Sequence, residues 1–118
     1  LGLEGCSTLP LVKADEADGV VRVPRSSFQQ GDKVILRTRA LPFDVLVMAR
    51  PDGGYHSLYL RCTHRDQPLT ATGTGLHCPS HGSRFGMDGT VQEGPADKPL
   101  HTFRTTADDT DVIVDLKH

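Results

Sequence analysis

Cys62-Thr63-His64 and Cys78-Pro79-Ser80-His81 are the segments on which the reading of this chain turns. Together they spell C-x-H, thirteen intervening residues, then C-x-x-H. Each segment supplies one thiolate and one imidazole, so four soft donors arrive as two mixed pairs. A structural zinc site also takes two Cys and two His. Its usual spacing, however, opens with a pair of cysteines and closes with a pair of histidines. The remaining alternative is a set of unrelated core cysteines and surface histidines, and two matched loops argue against that coincidence.

With these residues the chain resembles the Rieske iron–sulfur family, closely from Cys62 to Phe85 and more loosely over residues 20–116. The resemblance implies one [2Fe-2S] cluster per chain, with Cys62 and Cys78 on one iron and His64 and His81 on the other. It also implies an antiparallel β-sandwich or barrel with a cluster-binding subdomain built from two loops. High-potential members carry a further cysteine in each loop, joined as a disulfide. The matching positions here are Gln67 and Ser80, so that bridge cannot form. The same members place a serine hydroxyl on a bridging sulfide and a tyrosine hydroxyl on a ligand sulfur. Ser83 matches the serine, whereas Phe85 stands at the tyrosine position without a hydroxyl. Hydrogen bonds to cluster sulfur favour the reduced state. The expected potential therefore falls in the lower or middle part of a range of about −150 to +300 mV. Arg65 replaces the apolar residue that usually shields the cluster, which puts a permanent charge beside the exposed histidine edge.

Around the loops the pattern is all-β. Val20–Val23, Lys33–Arg39 and Asp44–Arg50 read as strands, and Pro51-Asp52-Gly53-Gly54 is a strong turn. Tyr55–Arg61 alternates, with His56, Leu58 and Leu60 on one side and Tyr55, Ser57, Tyr59 and Arg61 on the other. That strand delivers Cys62. Leu76-His77 leads into Cys78, and Asp88-Gly89 is a hairpin signal between Phe85–Met87 and Thr90–Glu93. Gly94–Pro99 forms a proline loop, which in the family covers the cluster. Leu100–Thr106, a turn at Asp108-Asp109 and Val112–Leu116 complete the strands. No helix pattern longer than two turns is present.

At 118 residues the chain is sized for one core. Its hydrophobic content is modest at 36%, with no Trp, so a bound cluster would supply part of the folding free energy. A net charge of −2, without a basic-aromatic patch, excludes a nucleic-acid surface. Gly-rich phosphate loops and a Ser-His-Asp pattern are absent from the sequence. The length also leaves no room for the second domain of a terminal oxygenase, so the expectation is an electron carrier or redox subunit rather than a catalyst.

Residues 1–19 lack strand alternation and become acidic, and they read as a tail or tether ahead of a domain spanning 20–118. Cys6 follows Leu3-Glu4-Gly5, which resembles a bacterial lipoprotein box except at Glu4. The chain begins without Met, as a trimmed or processed one would. Two locations follow: the bacterial cell envelope, with a membrane tether through Cys6, or the cytoplasm, as the ferredoxin component or small subunit of an oxygenase or oxidoreductase system. No apolar run approaches the ~20 residues of a membrane helix. Redox proteins are the expected donor and acceptor. The other histidines, His56, His77, His101 and His118, lie outside ligand spacing and read as surface or supporting residues.

Overall fold

The computed structural model describes residues 9–71 and 75–117, and within them the chain is all-β. A seven-stranded sheet curls into a nearly closed barrel. Its strands are β1 (Leu11–Lys13), β2 (Val20–Pro24), β3 (Lys33–Arg37), β4 (Val45–Ala49), β5 (Tyr55–Tyr59), β10 (Thr102–Ala107) and β11 (Asp111–Asp115). Their order is β1-β3-β4-β5-β10-β11-β2. A second sheet, β6-β7-β8-β9, holds Thr70–Ala71, Leu76–His77, Arg84–Phe85 and Val91–Glu93. It is inserted between β5 and β10, and it is the part that carries the two Cys/His segments.

Alternation along β4 and β5 explains how the two parts join. Val45 and Val47 point into the barrel core with Val21, Val23, Val34, Leu36, Val112 and Val114. Leu46 and Met48 point the other way, into a second core with Leu58, Leu60, Leu76, Phe85, Ala96 and Leu100. Cys62 and Cys78 belong to that second core. Val45 through Met48 are all buried because β4 is covered on both faces. Along β5 and the residue after it the expected division holds: Leu58 and Leu60 enter the second core, and Tyr55 and Tyr59 pack on the barrel core.

The turns fall where the sequence put them. Arg50 N–H donates to Gly54 O at 2.7 Å across Pro51–Gly53. Gly89 takes φ +88°, and a Cβ there would sit 3.0 Å from Leu58 Cδ2. Asp88 and Gly89 therefore form the hairpin turn under both a backbone and a packing constraint. One reading is corrected: the segment assigned to the tail contains β1. Leu11–Lys13 pairs in parallel with Ile35–Arg37, and Val12 packs against the barrel core. Three residues are too few for alternation to show, and a parallel partner more than twenty residues away leaves no local signal. β6 and the 3₁₀ turn Arg25–Phe28 also went unread. Cys6 and His118 lie outside the described residues.

Candidate metal centre

Two loops of equal span form the tip of the smaller sheet. In the first, which follows β5, the Cys62 N–H donates to Gln67 O at 2.9 Å, and the Gln67 N–H donates to Arg65 O at 2.7 Å. In the second, which follows β7, the Cys78 N–H donates to Ser83 O at 2.8 Å, and the Gly82 N–H donates to Cys78 O at 2.9 Å. Each loop is thus closed by the same bond, from a cysteine N–H to the carbonyl five residues on. Gly82 supplies the positive φ, +84°, that turns the chain after His81.

The loops sort their donors by depth. Cys62 and Cys78 are each 1% exposed and touch one another, whereas His64 and His81 stand in solvent. The two imidazole rings meet edge to face, with centroids 5.3 Å apart. Burial alone would push the Cys62 thiol up. The backbone N–H groups of Arg65 and His64, with the Cys78 side chain and the Ser83 hydroxyl, outweigh it and hold that thiol below its ordinary value. A loop that directs N–H groups at a sulfur is built for a thiolate. Among the described residues, no three His, Cys, Asp or Glu side chains gather on a single ion position. The donors form an inner pair and an outer pair.

Side-chain bonds brace this arrangement. Arg61 Nε donates to Asp66 Oδ1 at 2.6 Å, and Arg61 Nη2 contacts the same carboxylate. Thr63 Oγ1 donates to Lys98 O at 2.7 Å, tying the first loop to the proline loop. Ser80 Oγ donates to Gln67 Oε1 at 3.2 Å, so the positions of the missing disulfide are joined by a hydrogen bond. The Ser83 hydroxyl accepts the Ala96 N–H at 3.0 Å and also bonds the Cys62 thiol. Phe85 is wholly buried beneath the loops, and Arg65 is exposed. The roles of Thr63 and Lys98 were missed. The Thr63 hydroxyl beside two candidate ligands was a usable signal. Lys98 acts through its carbonyl, which side-chain identity cannot reveal. His56 bonds the Met87 carbonyl at 3.1 Å, His77 sits half-buried on β7, and His101 packs edge-on against Phe103.

A [2Fe-2S] cluster with two thiolates on one iron and two imidazoles on the other asks for a buried thiol pair facing an outer imidazole pair. The residues present fit that group. Residues 19–104 match the Rieske [2Fe-2S] domain. The chain belongs to the Rieske [2Fe-2S] domain family. This Rieske domain is 36% identical over 56 residues to cytochrome b6-f complex iron-sulfur subunit 3 of Nostoc sp., covering 48% of this chain and 30% of that protein. It spans less than a third of the length of the curated relatives it matches. The fold is shared with the plasma membrane Rieske protein PetC3 from Synechocystis PCC 6803. There the TM-score is 0.66 at 23% identity, over 80% of this chain and 97% of that one. A ferredoxin from Sphingomonas yanoikuyae B1 gives a TM-score of 0.53 at 28% identity, over 74% of this chain and 87% of that one. The chain is accordingly a Rieske-type electron-transfer domain.

Proposed function

We propose that this Rieske domain is a one-electron carrier, with Cys62 and Cys78 holding one iron of the cluster and His64 and His81 the other. The observation that carries the reading is the depth sorting within two loops of identical closure: thiols inside, imidazoles outside. Two mixed pairs, one cysteine and one histidine from each loop, support a two-iron group over a single zinc ion, whose usual spacing opens with two cysteines and closes with two histidines. When bound, the cluster takes up and releases one electron. The chain does the rest. Cys62 and Cys78 sit in the second core among Leu60, Leu69, Leu76 and Ala96, which would keep water from an iron held by the two thiolates. The N–H groups of His64 and Arg65 and the Ser83 hydroxyl stabilise negative charge on sulfur. His64 and His81 are exposed and would hold the other iron, so a partner could approach the cluster closely on that side.

The partners are redox proteins that deliver and accept single electrons. The likeness to the Sphingomonas ferredoxin supports a ferredoxin-type carrier. The match to the iron-sulfur subunit of a cytochrome b6-f complex supports a subunit of a redox complex, and the Cys6 segment supports a carrier tethered at the cell envelope. Among the described residues no helix is long and apolar enough to cross a membrane; for a tethered carrier, Cys6 is the attachment point that the sequence itself offers. Iron and acid-labile sulfide analysis of protein purified anaerobically tests the site. About two of each per chain are expected. One zinc and no iron from an iron-replete host would refute it. Fractionating cells that express the full-length wild-type protein and its Cys6→Ala variant separates the two locations. Release of the variant from the membrane supports the tether.

A further inference from the structure

Among the described residues, Arg65 is the one polar side chain of residues 63–67 for which no partner is seen. Thr63 is tied to Lys98 O, His64 stacks edge-on with His81, Asp66 pairs with Arg61, and Gln67 bonds Ser80. The Arg65 guanidinium, on the residue next to His64, is exposed, and among the described residues it has no hydrogen bond or ion pair. Lys98, whose carbonyl anchors Thr63 to the same tip, is exposed, and its ammonium has no partner among the described residues. Asp97 is the anion of these loops left unpaired among the described residues, because Asp66 is neutralised by Arg61. Two such cations against one such anion leave the tip with one net positive charge, although the chain as a whole carries −2. A Rieske cluster with two thiolates and two neutral imidazoles is formally uncharged when oxidised and carries −1 when reduced, so the tip is positive in the oxidised protein and Arg65 and Lys98 are what offset the cluster's charge in the reduced one.

The backbone around the tip is also prepared for contact. Pro68, Pro79, Pro95 and Pro99 are exposed in the three loops, and proline-fixed backbone loses little freedom on docking. A free charge held beside an electron port on a stiff surface orients encounters more than it adds affinity.

We propose that the tip formed by His64, His81, Arg65 and Lys98 is a docking surface for a redox partner whose own electron port is ringed by carboxylates. Arg65 and Lys98 select that partner. The inference rests on the histidine edge being the port, as proposed above, and adds the sign of the partner's surface.

Charged one-electron oxidants test the field directly. The dithionite-reduced holoprotein, freed of excess reductant, passes one electron to hexacyanoferrate(III), an anion, or to tris(phenanthroline)cobalt(III), a cation. No proton or other group needs to move. Relative to the wild type, Arg65→Glu or Lys98→Glu should turn the ionic-strength slope of the anion's rate upward and that of the cation's rate downward. Arg65→Glu should slow the anion about fivefold at low salt, with the difference lost at high salt. Lys98→Glu should act in the same direction, and Arg65→Gln should give an intermediate rate. A deca-glutamate peptide should protect the wild-type port from hexacyanoferrate(III) and fail to protect the Arg65→Glu variant, whereas deca-lysine should not protect. The visible spectrum of each variant reports whether its cluster is intact, and the three variants are independent of one another.

Salt slopes unchanged by all three substitutions, with the cluster intact, would overturn this inference and leave the carrier reading standing. A reduced protein with no cluster signal, unable to reduce either oxidant, would bring down both.

Discussion

Ser83 shows how much one hydroxyl can do at this site. It bonds the Cys62 thiol and accepts the Ala96 N–H, and it is fully buried. Ser83→Ala removes a donor from sulfur and leaves a buried N–H unpaired. The midpoint potential should therefore fall by tens of millivolts, and stability by about 1–3 kcal/mol. Protein-film voltammetry and urea unfolding of the holoprotein measure the two effects. An unaltered potential would mean that the hydroxyl serves only the proline loop. Phe85→Tyr should shift the potential upward, provided its new hydroxyl reaches sulfur from a fully buried ring. Spacing and resemblance name Cys62, His64, Cys78, His81, Ser83 and Phe85, and the structure brings these six to the two loops or directly beneath them, while the group they hold is the proposal made above. Thr63 and Lys98 were not legible in this way, because a hydroxyl-to-carbonyl bond between residues 35 apart depends on where two loops meet.

At the scale of single elements, turns carry the clearest tests. Between β10 and β11, Asp108 accepts from the N–H groups of Asp111 and Thr110 and from Arg22, which holds its carboxyl at about 2, below the ordinary 3.8. A carboxylate depressed by folding stabilises the native state above its unfolded value, and that stability is lost as pH falls through the folded value. The window therefore runs from about pH 4 down to about pH 2. Asp108→Asn should lower the Tm at neutral pH and flatten the acid limb of stability in that window. Thermal unfolding followed across pH checks this, and an unchanged acid limb would assign the slope to other carboxylates.

The glycine turns differ from one another in an instructive way. Gly82→Ala meets no atom within 4 Å, so its cost is backbone strain of about 1–2 kcal/mol. Gly89→Ala adds a contact with Leu58 at 3.0 Å to a similar strain and should cost more. Equal losses in chemical denaturation would show that Leu58 yields freely. Strands such as Val20–Pro24 and Tyr55–Tyr59 were legible because side-chain alternation is local. β1 and β6 were not, since strands of three and two residues exist only through their partners.

For the whole molecule, the consequence of the fold is that one strand pair serves two cores. β4 and β5 send Val45, Val47 and Tyr59 into the barrel and Leu46, Met48, Leu58 and Leu60 into the core that holds both cysteines. Loss of the cluster should therefore loosen the smaller sheet first and spare the barrel, because metal binding and folding are coupled where the ligands sit. In hydrogen exchange of the iron-free protein, amides of Cys62, Leu76, Cys78 and Phe85 should lose protection, whereas Val21, Val23, Val112 and Val114 keep theirs. Uniform loss would mean that the two sheets fold as one unit. The all-β class was legible from the chain. The sheet order was not, because β2 pairs with β11 across most of the sequence and β1 joins β3 in parallel.

The central claim, that the thiol pair and the imidazole pair hold the two irons of one Rieske cluster, is most directly tested by electron paramagnetic resonance of the dithionite-reduced protein. The account predicts a rhombic signal with an average g value below that of an all-cysteine [2Fe-2S] cluster, and pulsed spectra with couplings to two imidazole nitrogens. A spectrum without nitrogen coupling, or a silent sample that contains one zinc per chain, would contradict it.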